Sequence, residues 1–335
     1  MSSKKKEIET YPNRSEILFL YDIFRCNPNG DPFENRPRQD PTTERIDVTD
    51  VRLKRTIRDY ILRYKHTKDD DLDIFVRTTG DAVTAERRYE ELFGKLPEPK
   101  ATEEARRKLL QRCIDVRLFG AMLPITRRKP GEEEPEERGA GIHITGAAQF
   151  NTGQSLHAVE VLEISGTGGF ASKEGAGQRT FRREFIVPYA LIGFYGVINE
   201  NLAKESGLTS GDVNLLMESM WEGTQALHSR SKAFHHPRLL VRVDYKDQKQ
   251  SGFFLDKLRL NMKVKDEKAI RAPKDYALEV GDWIACLQKN SSFITNIYAV
   301  ADPDIQLTEN GTAISELAKD WSIEKELQKL VKEKA

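Results

Sequence analysis

The pattern of hydrophobic and polar positions along the chain predicts a mixture of strands and amphipathic helices. The run EILFLYDIFR at 16–25 is apolar and rich in β-branched and aromatic residues, so it predicts a strand that ends in the turn-forming string CNPNGDP. Residues 50–64 carry apolar side chains at helical spacing. The clearest helix pattern lies at 209–228, where Thr209 and Asp212 form a capping-box pattern.

Two further strand patterns, at 157–165 and 179–187, flank a segment that holds five glycines between residues 166 and 177. This arrangement predicts a long β-hairpin with a flexible tip. The remaining predicted elements are helices at 84–94, 102–114 and from 313, and strands or buried segments at 72–78, 117–125, 238–245, 253–260 and 282–288.

Strands and helices alternate without a regular βαβ repeat, which favours an α+β fold of ferredoxin or RRM type with large insertions. We expect one domain over 14–310, with helical insertions and a charged acidic loop within 66–145 and the hairpin at 154–187. A C-terminal helical extension is expected at 311–335.

Composition limits the classes of function that remain. The 335 residues contain 53 basic and 53 acidic side chains, so a globally basic nucleic-acid binder is excluded, whereas a locally basic surface is not. No apolar run approaches the length of a membrane span, and the polar N-terminus does not resemble a secretory signal. Three widely spaced cysteines without a CxxC pair argue against a zinc ribbon and fit a cytoplasmic protein.

Positive charge is concentrated in three segments. Residues 50–65 hold six basic and two acidic residues, and residues 228–249 show the same imbalance after the string HSRSK. The return strand of the hairpin adds arginines beside Phe181, a combination that suits an unpaired nucleic-acid strand. The alternative for each segment is an ordinary solvated face.

Signals for catalysis are weak. Asp31 and Asp40 follow the first strand and could hold a divalent metal for phosphodiester cleavage, but turn chemistry is the favoured explanation for both. His235 and His236 have no third ligand in view. Neither a nucleophile elbow nor a P-loop occurs. We therefore expect no catalytic residues, no metal and no cofactor.

Six strings, in order, resemble one known family. They are CNPNGDP at 26–32, NRPRQD at 35–40, VTDVRLKRTIRDYI at 48–61, DVRLFGAMLPI at 115–125, GAAQFNTGQSLHAVE at 146–160 and SRSKAFHHPRLLVRVDY at 229–245. The resemblance is to the CRISPR-associated Cas-seven family, the repeated backbone subunit of type I Cascade, most like subtype I-B and next subtype I-C. It covers about residues 16–304.

The resemblance implies an RRM-like palm with helical fingers and a thumb formed by the hairpin. It implies copies stacked in a helical filament along one CRISPR guide RNA, which is presented for pairing with target DNA. The implied partners are the guide RNA, target DNA through the guide, further copies of the chain and other Cascade subunits, without a membrane. Cleavage would belong to a separate nuclease-helicase, so this subunit would be non-catalytic.

The charge pattern and the resemblance together predict the residues that contact RNA. They are Arg25, Asn27, Asn29, Arg52, Lys54, Arg55, Arg58, Gln149, Phe150, Phe170, Arg179, Phe181, Arg182, Arg230, Ser231 and Lys232. Two alternatives remain open: a target-RNA nuclease of the type III kind that uses Asp40, and a free-standing single-stranded RNA-binding protein.

Overall fold

The structure is a computed structural model that describes most of the chain. The described residues are 9–66, 71–77, 83–97, 101–124, 126–127, 137–138, 141–168, 180–229, 231–246, 248–252 and 254–314. The acidic segment at 128–136, the hairpin tip at 169–179, Arg230 and the predicted C-terminal helix beyond 314 lie outside the described residues.

The described residues form a series of α-helices and β-strands. The helices are α1 Asp50–Tyr60, α2 Ala85–Phe93, α3 Thr102–Arg112, α4 Ile114–Phe119, α5 Glu200–Ser206, α6 Ser210–Gln225 and α7 Gly281–Lys289, with a π-helical turn at Ile61–Lys65. The strands are β1 Arg14–Cys26, β2 Asp47–Val48, β3 Gly120–Leu123, β4 Thr126–Arg127, β5 Glu137–Arg138, β6 Ile142–Thr145, β7 Ala148–Phe150, β8 Gly153–Ser155, β9 Leu162–Gly168, β10 Thr180–Ile198, β11 His235–Tyr245, β12 Arg259–Met262, β13 Tyr276–Glu279, β14 Ile294–Ala301, β15 Leu307–Glu309 and β16 Thr312–Ala313. The predicted α+β class is confirmed.

The chain divides into two compact units, each assembled from three separate segments. Unit one comprises Met1–Arg14, Lys54–Gln149 and Val197–Gly223, and unit two comprises Ser15–Leu53, Phe150–Gly196 and Thr224–Ala335.

Unit two is built on a large sheet with strand order β14-β11-β1-β10-β8-β2. Residues Ser15 to Ile23 of β1 are buried without interruption, as expected for a strand covered on both faces. Strand β9 pairs antiparallel with β10, from Leu162 opposite Ile186 to Gly168 opposite Thr180. The structure therefore contains the hairpin that the glycine-rich segment predicted. A smaller sheet, β12-β13-β15-β16, completes the unit.

Several charges of unit two are neutralised inside the protein. Arg238 on β11 donates to Asp22 at 2.8 Å, and Arg242 donates to Asp244 at 3.0 Å. Both arginines are less than a tenth exposed. The excess of basic residues at 228–249 is therefore not all surface charge. Two of its six basic side chains form buried ion pairs within the sheet.

Unit one has its own hydrophobic core within the predicted insertion. Tyr89, Leu109, Cys113 and Ile144 are among the buried residues that pack together between α2, α3, the α3–α4 junction and β6. This part of the chain contains the helices α2, α3 and α4 and the short β3–β6 pair.

The start of α6 is fixed by the predicted capping box. The Thr209 backbone N–H donates to Asp212 at 2.9 Å, and the Asp212 N–H donates to the Thr209 hydroxyl at 3.1 Å. Asp212 also accepts two hydrogen bonds from the buried Arg117 guanidinium, at 3.0 and 2.8 Å. One carboxylate thus caps the helix and balances a buried cation.

Some predicted strands were wrong. Residues 282–288 form α7, because Trp283, Ile284 and Leu287 bury one face at helical spacing. Instead of the strand predicted at 253–260, the structure has a 3₁₀ turn at Leu255–Lys257 and the start of β12. Residues 117–125 divide between the end of α4 and β3, and 72–78 contributes an isolated bridge, Asp73 with Cys113. Among the described residues, none of the helices combines the length and hydrophobicity of a membrane span.

We predict that Asp212→Ala lowers the free energy of unfolding by about 3–5 kcal/mol, because it removes a cap and the close carboxylate partner of the buried Arg117, which keeps only the exposed Asp71 carboxylate at 3.6 Å. Urea denaturation followed by circular dichroism measures this loss. Glu104→Gln is the matched control, because Glu104 forms an exposed ion pair with Lys108, and we expect no measurable change there. A loss below about 1 kcal/mol for Asp212→Ala, as for an exposed ion pair, would contradict the prediction.

Candidate nucleic-acid interface

Three segments that are far apart in sequence meet in unit two. The Asn27 backbone N–H donates to the Ser231 carbonyl at 2.9 Å, and the Phe24 N–H donates to the Phe234 carbonyl at 3.2 Å. These bonds attach the end of β1 to the SRSK string. The Thr49 hydroxyl donates to the Asn29 side chain at 3.0 Å, which attaches the residue before α1 to the same turn.

Six predicted RNA-binding residues lie on these joined segments. We call this group the β1–SRSK surface, and it consists of Arg25, Asn27, Asn29, Arg52, Ser231 and Lys232. Arg25 is exposed, Arg52, Ser231 and Lys232 are half-buried, and the two asparagines are buried. The asparagines therefore shape the turn, whereas the cations and the serine reach the solvent.

The local sequence explains the shape of the turn after β1. Arg25 has a φ of 47°, in the left-handed region, which turns the chain out of the strand. The Asn27 carboxamide donates to the Asn35 carbonyl at 2.6 Å. A Cβ atom at Gly30 would displace the Asn35 carboxamide and lie 3.1 Å from the Asn35 carbonyl oxygen, so glycine eases the close approach of the two segments.

The charges of Arg52 and Lys232 act on the same buried groups. Burial, together with the positive charges of Arg52 and Lys232, lowers the pKa of His235 to about 3. Burial and the Arg52 charge likewise lower the pKa of Lys232. Since the Arg52 charge acts on Lys232 itself, the two cations lie within electrostatic range of each other, and their combined field favours an anion.

His235 is the buried residue on which both of these charges act. Its ring stacks on Tyr21 of β1, with centroids 5.7 Å apart and an interplanar angle of 24°. Within the described part of the chain, its Nδ1 atom makes no hydrogen bond. Among the described residues, His235 and His236 do not belong to any group of three or more potential metal ligands.

The other cations of α1 belong to unit one, and they have carboxylate or aromatic neighbours. Arg58 is buried and donates to Asp115 at 2.9 Å, while its guanidinium lies 5.2 Å from the centre of the Phe119 ring. Arg55 is exposed and pairs with Asp59 at 2.8 Å, and the Lys54 ammonium lies 5.6 Å from the Phe119 ring centre. Their contacts with RNA stay predictions, but the burial of Arg58 gives it a role in holding α1.

The remaining predicted residues are dispersed. Gln149 is exposed and donates to the Gly146 carbonyl at 2.9 Å, and Phe150 is buried. The backbones of Phe181 and Arg182 lie on β10 opposite Thr167 and Gly166. Phe170, Arg179 and Arg230 lie outside the described residues.

The two acids considered for catalysis both cap turns. The Asp31 carboxylate accepts the backbone N–H groups of Phe33, Glu34 and Arg36 at 2.7–2.9 Å. Asp40 accepts the Thr42 N–H at 2.8 Å and the Thr43 hydroxyl at 2.7 Å. These hydrogen bonds lower the pKa of both carboxyl groups. The geometry favours the interpretation as turn chemistry.

Sequence reasoning did not single out Phe234 as a site residue. Its side chain is 61% exposed, and its backbone is in the left-handed region with a φ of 61°. Nothing in the local sequence signals this conformation, because phenylalanine rarely adopts it.

Comparison with known proteins places the chain in a family. The family profile described as CRISPR-associated protein Cas7 matches residues 13–281. A protein of Haloferax volcanii named CRISPR-associated protein Cas7 is 31% identical over 310 residues, which is 88% of each chain. The chain therefore belongs to the Cas7 family of CRISPR-associated proteins, as the six strings indicated.

Solved structures show a more distant likeness. A chain of a structure titled CRISPR RNA-guided surveillance complex has a TM-score of 0.49 and 14% identity, covering 95% of this chain and 98% of that chain. A second structure of such a complex, in a pre-nicking state, has a TM-score of 0.49 and 13% identity, covering 96% of this chain and all of that chain.

We predict that His235 makes unfolding sensitive to acid. Its folded pKa lies below the ordinary value of 6.5, so the stability it contributes is complete above that value and is lost as the pH falls toward 3. Between about pH 7 and about pH 5 the loss from this group is about 2 kcal/mol. Urea denaturation at the two pH values should show a smaller difference for His235→Phe.

The neighbouring His236 provides the control, because it is exposed. His236→Gln should keep the pH dependence of the unchanged chain. If His235→Phe also keeps that dependence in full, the buried imidazole is not the group that titrates.

Proposed function

We propose that this chain is a CRISPR RNA-binding backbone subunit of a type I Cascade surveillance complex. The observation that carries the proposal is the β1–SRSK surface, where two cations from distant segments meet in a member of the Cas7 family. Further copies of the chain, other Cascade subunits and target DNA paired with the guide are the proposed partners.

We infer that the large sheet forms an RRM-like palm. Six elements occur along the chain in the order β-α-β-β-α-β, with other elements between them: β1, α1, β8, β10, α6 and β11. Within the sheet, the four strands of this set lie in the order β11-β1-β10-β8. This order supports a ferredoxin-like arrangement. The β9–β10 hairpin is the proposed thumb, and the insertion within 66–145 with its own core is the proposed fingers.

The chemistry of the surface suits a guide of arbitrary sequence. Such a guide must be held through its phosphates, ribose hydroxyls and base faces rather than through the base edges. Arg52 and Lys232 supply charge for phosphates, and the Ser231 hydroxyl can donate to or accept from a ribose. A net charge of zero also lets copies stack without strong mutual repulsion.

We propose that the subunit is non-catalytic. Asp31 and Asp40 already hold turns through their oxygens, which supports a structural role for both. Target cleavage would then belong to another component. We assign the chain to subtype I-B rather than I-C on its sequence strings.

We predict that the double variant Arg52→Ala, Lys232→Ala binds single-stranded RNA more weakly and with a smaller dependence on salt. Each lost phosphate contact should lower the slope of log affinity against log salt by about 0.7, so the pair should lower it by about 1.4. Fluorescence anisotropy across a salt series measures the slope. Arg259→Ala is the control, because this exposed arginine lies on the small sheet and pairs with Asp282. An unchanged slope in the double variant would remove the surface from the proposal.

We predict that the purified chain leaves guide-complementary RNA intact in the presence of Mg²⁺ or Mn²⁺. Gel analysis of labelled RNA over several hours tests this. Cleavage that is lost in Asp40→Ala and kept in the turn control Asp31→Ala would instead establish the alternative, a target-RNA nuclease of the type III kind.

A further inference from the structure

Phe234 is exposed at a point where the chain buries its neighbour. The Phe234 side chain is 61% exposed, whereas His235, the next residue, is 4% exposed and stacked on Tyr21. A single exposed aromatic residue is unremarkable in itself. Phe234 is distinguished by its backbone conformation.

The backbone of Phe234 is held in an unfavourable conformation. Its φ of 61° lies in the left-handed region, which bulky side chains rarely adopt. The strain is held by the hydrogen bond from the Phe24 N–H and by the burial of His235. Arg25, beside Phe24 on the opposite segment, is left-handed too, with a φ of 47°. Local strain of this kind is a reason to look for a function.

The neighbourhood of the ring is cationic. Lys232 precedes Phe234 by two residues, and Arg52 and Lys232 both act on His235 directly after it. An exposed ring beside cations matches the surfaces that bind unpaired nucleic acid, where cations hold phosphates and aromatic rings stack on bases.

We propose that Phe234 is a base-stacking residue, on which one unpaired RNA base rests while Arg52 and Lys232 hold the adjoining phosphates. The inference rests on the proposed RNA-binding function and adds a contact to it. In this left-handed conformation the ring is exposed to solvent. Because every base has an aromatic face, the contact needs no particular sequence.

The test compares ring variants with a matched control in the full-length chain. Phe234→Ala removes the ring, Phe234→Leu keeps an apolar side chain without a ring, and Phe234→Trp keeps an aromatic face. Phe33→Ala is the control, because Phe33 is 94% exposed on the turn that Asp31 caps. The ligand is a short single-stranded RNA that carries a fluorescent purine analogue, whose emission falls when it stacks.

The expected result is that Phe234→Ala weakens binding by roughly 5- to 150-fold, the range of one stacked base. The slope against salt should stay unchanged, because no phosphate contact is lost. Quenching of the purine analogue should disappear, Phe234→Trp should restore both affinity and quenching, and Phe33→Ala should bind like the unchanged chain.

Three results would overturn the inference while leaving RNA binding itself intact. They are full affinity and quenching in Phe234→Ala, full affinity in Phe234→Leu, and a Phe234→Ala variant whose salt slope falls together with its affinity. In the last case the ring positions the cations instead of stacking. If Phe234→Ala binds RNA fully but no longer forms larger assemblies, the ring contacts another protein copy. Failure of the unchanged chain to bind any RNA would instead refute the proposed function.

Discussion

The candidate site depends on the backbone hydrogen bonds that join the end of β1 to the SRSK string. Asn27 with Ser231 and Phe24 with Phe234 connect segments about two hundred residues apart in the chain. Without these bonds Lys232 would not lie near the end of β1, and Phe234 would not be held in its left-handed conformation. The Arg25 turn and the buried asparagines serve the same purpose, because they shape the loop that these bonds hold.

The neutral state of His235 helps a protein of zero net charge to maintain a local cationic field. His235 is kept neutral by burial and by the nearby charges, so it adds no further repulsion between Arg52 and Lys232. Two other arginines of the sheet, Arg238 and Arg242, are balanced by the buried acids Asp22 and Asp244. The positive charges of Arg52 and Lys232 lie where the chain leaves the sheet, and a bound anionic polymer would interact favourably with both.

Much of the fold could be predicted from local pattern. The capping box at Thr209 and Asp212 fixed the start of α6, and the glycines between two strand patterns predicted the hairpin. The family strings pointed to the correct family. Predictions failed where tertiary contacts decide. Three arginines that a sequence counts as surface charge are in fact buried against carboxylates: Arg58, Arg238 and Arg242. For the first two the carboxylate comes from a distant part of the chain, and for Arg242 it lies two residues further along the same strand. The helix at 281–289 was mistaken for a strand because its apolar run is short.

The central claim is that many copies of this chain bind one RNA through its backbone. The most direct measurement is the mass of the complex, by light scattering, with single-stranded RNAs of increasing length and unrelated sequences. The account predicts a mass that rises in steps of one added chain per fixed length of RNA, whatever the sequence. A complex that holds one chain at every RNA length would contradict it and would favour a free-standing RNA-binding protein.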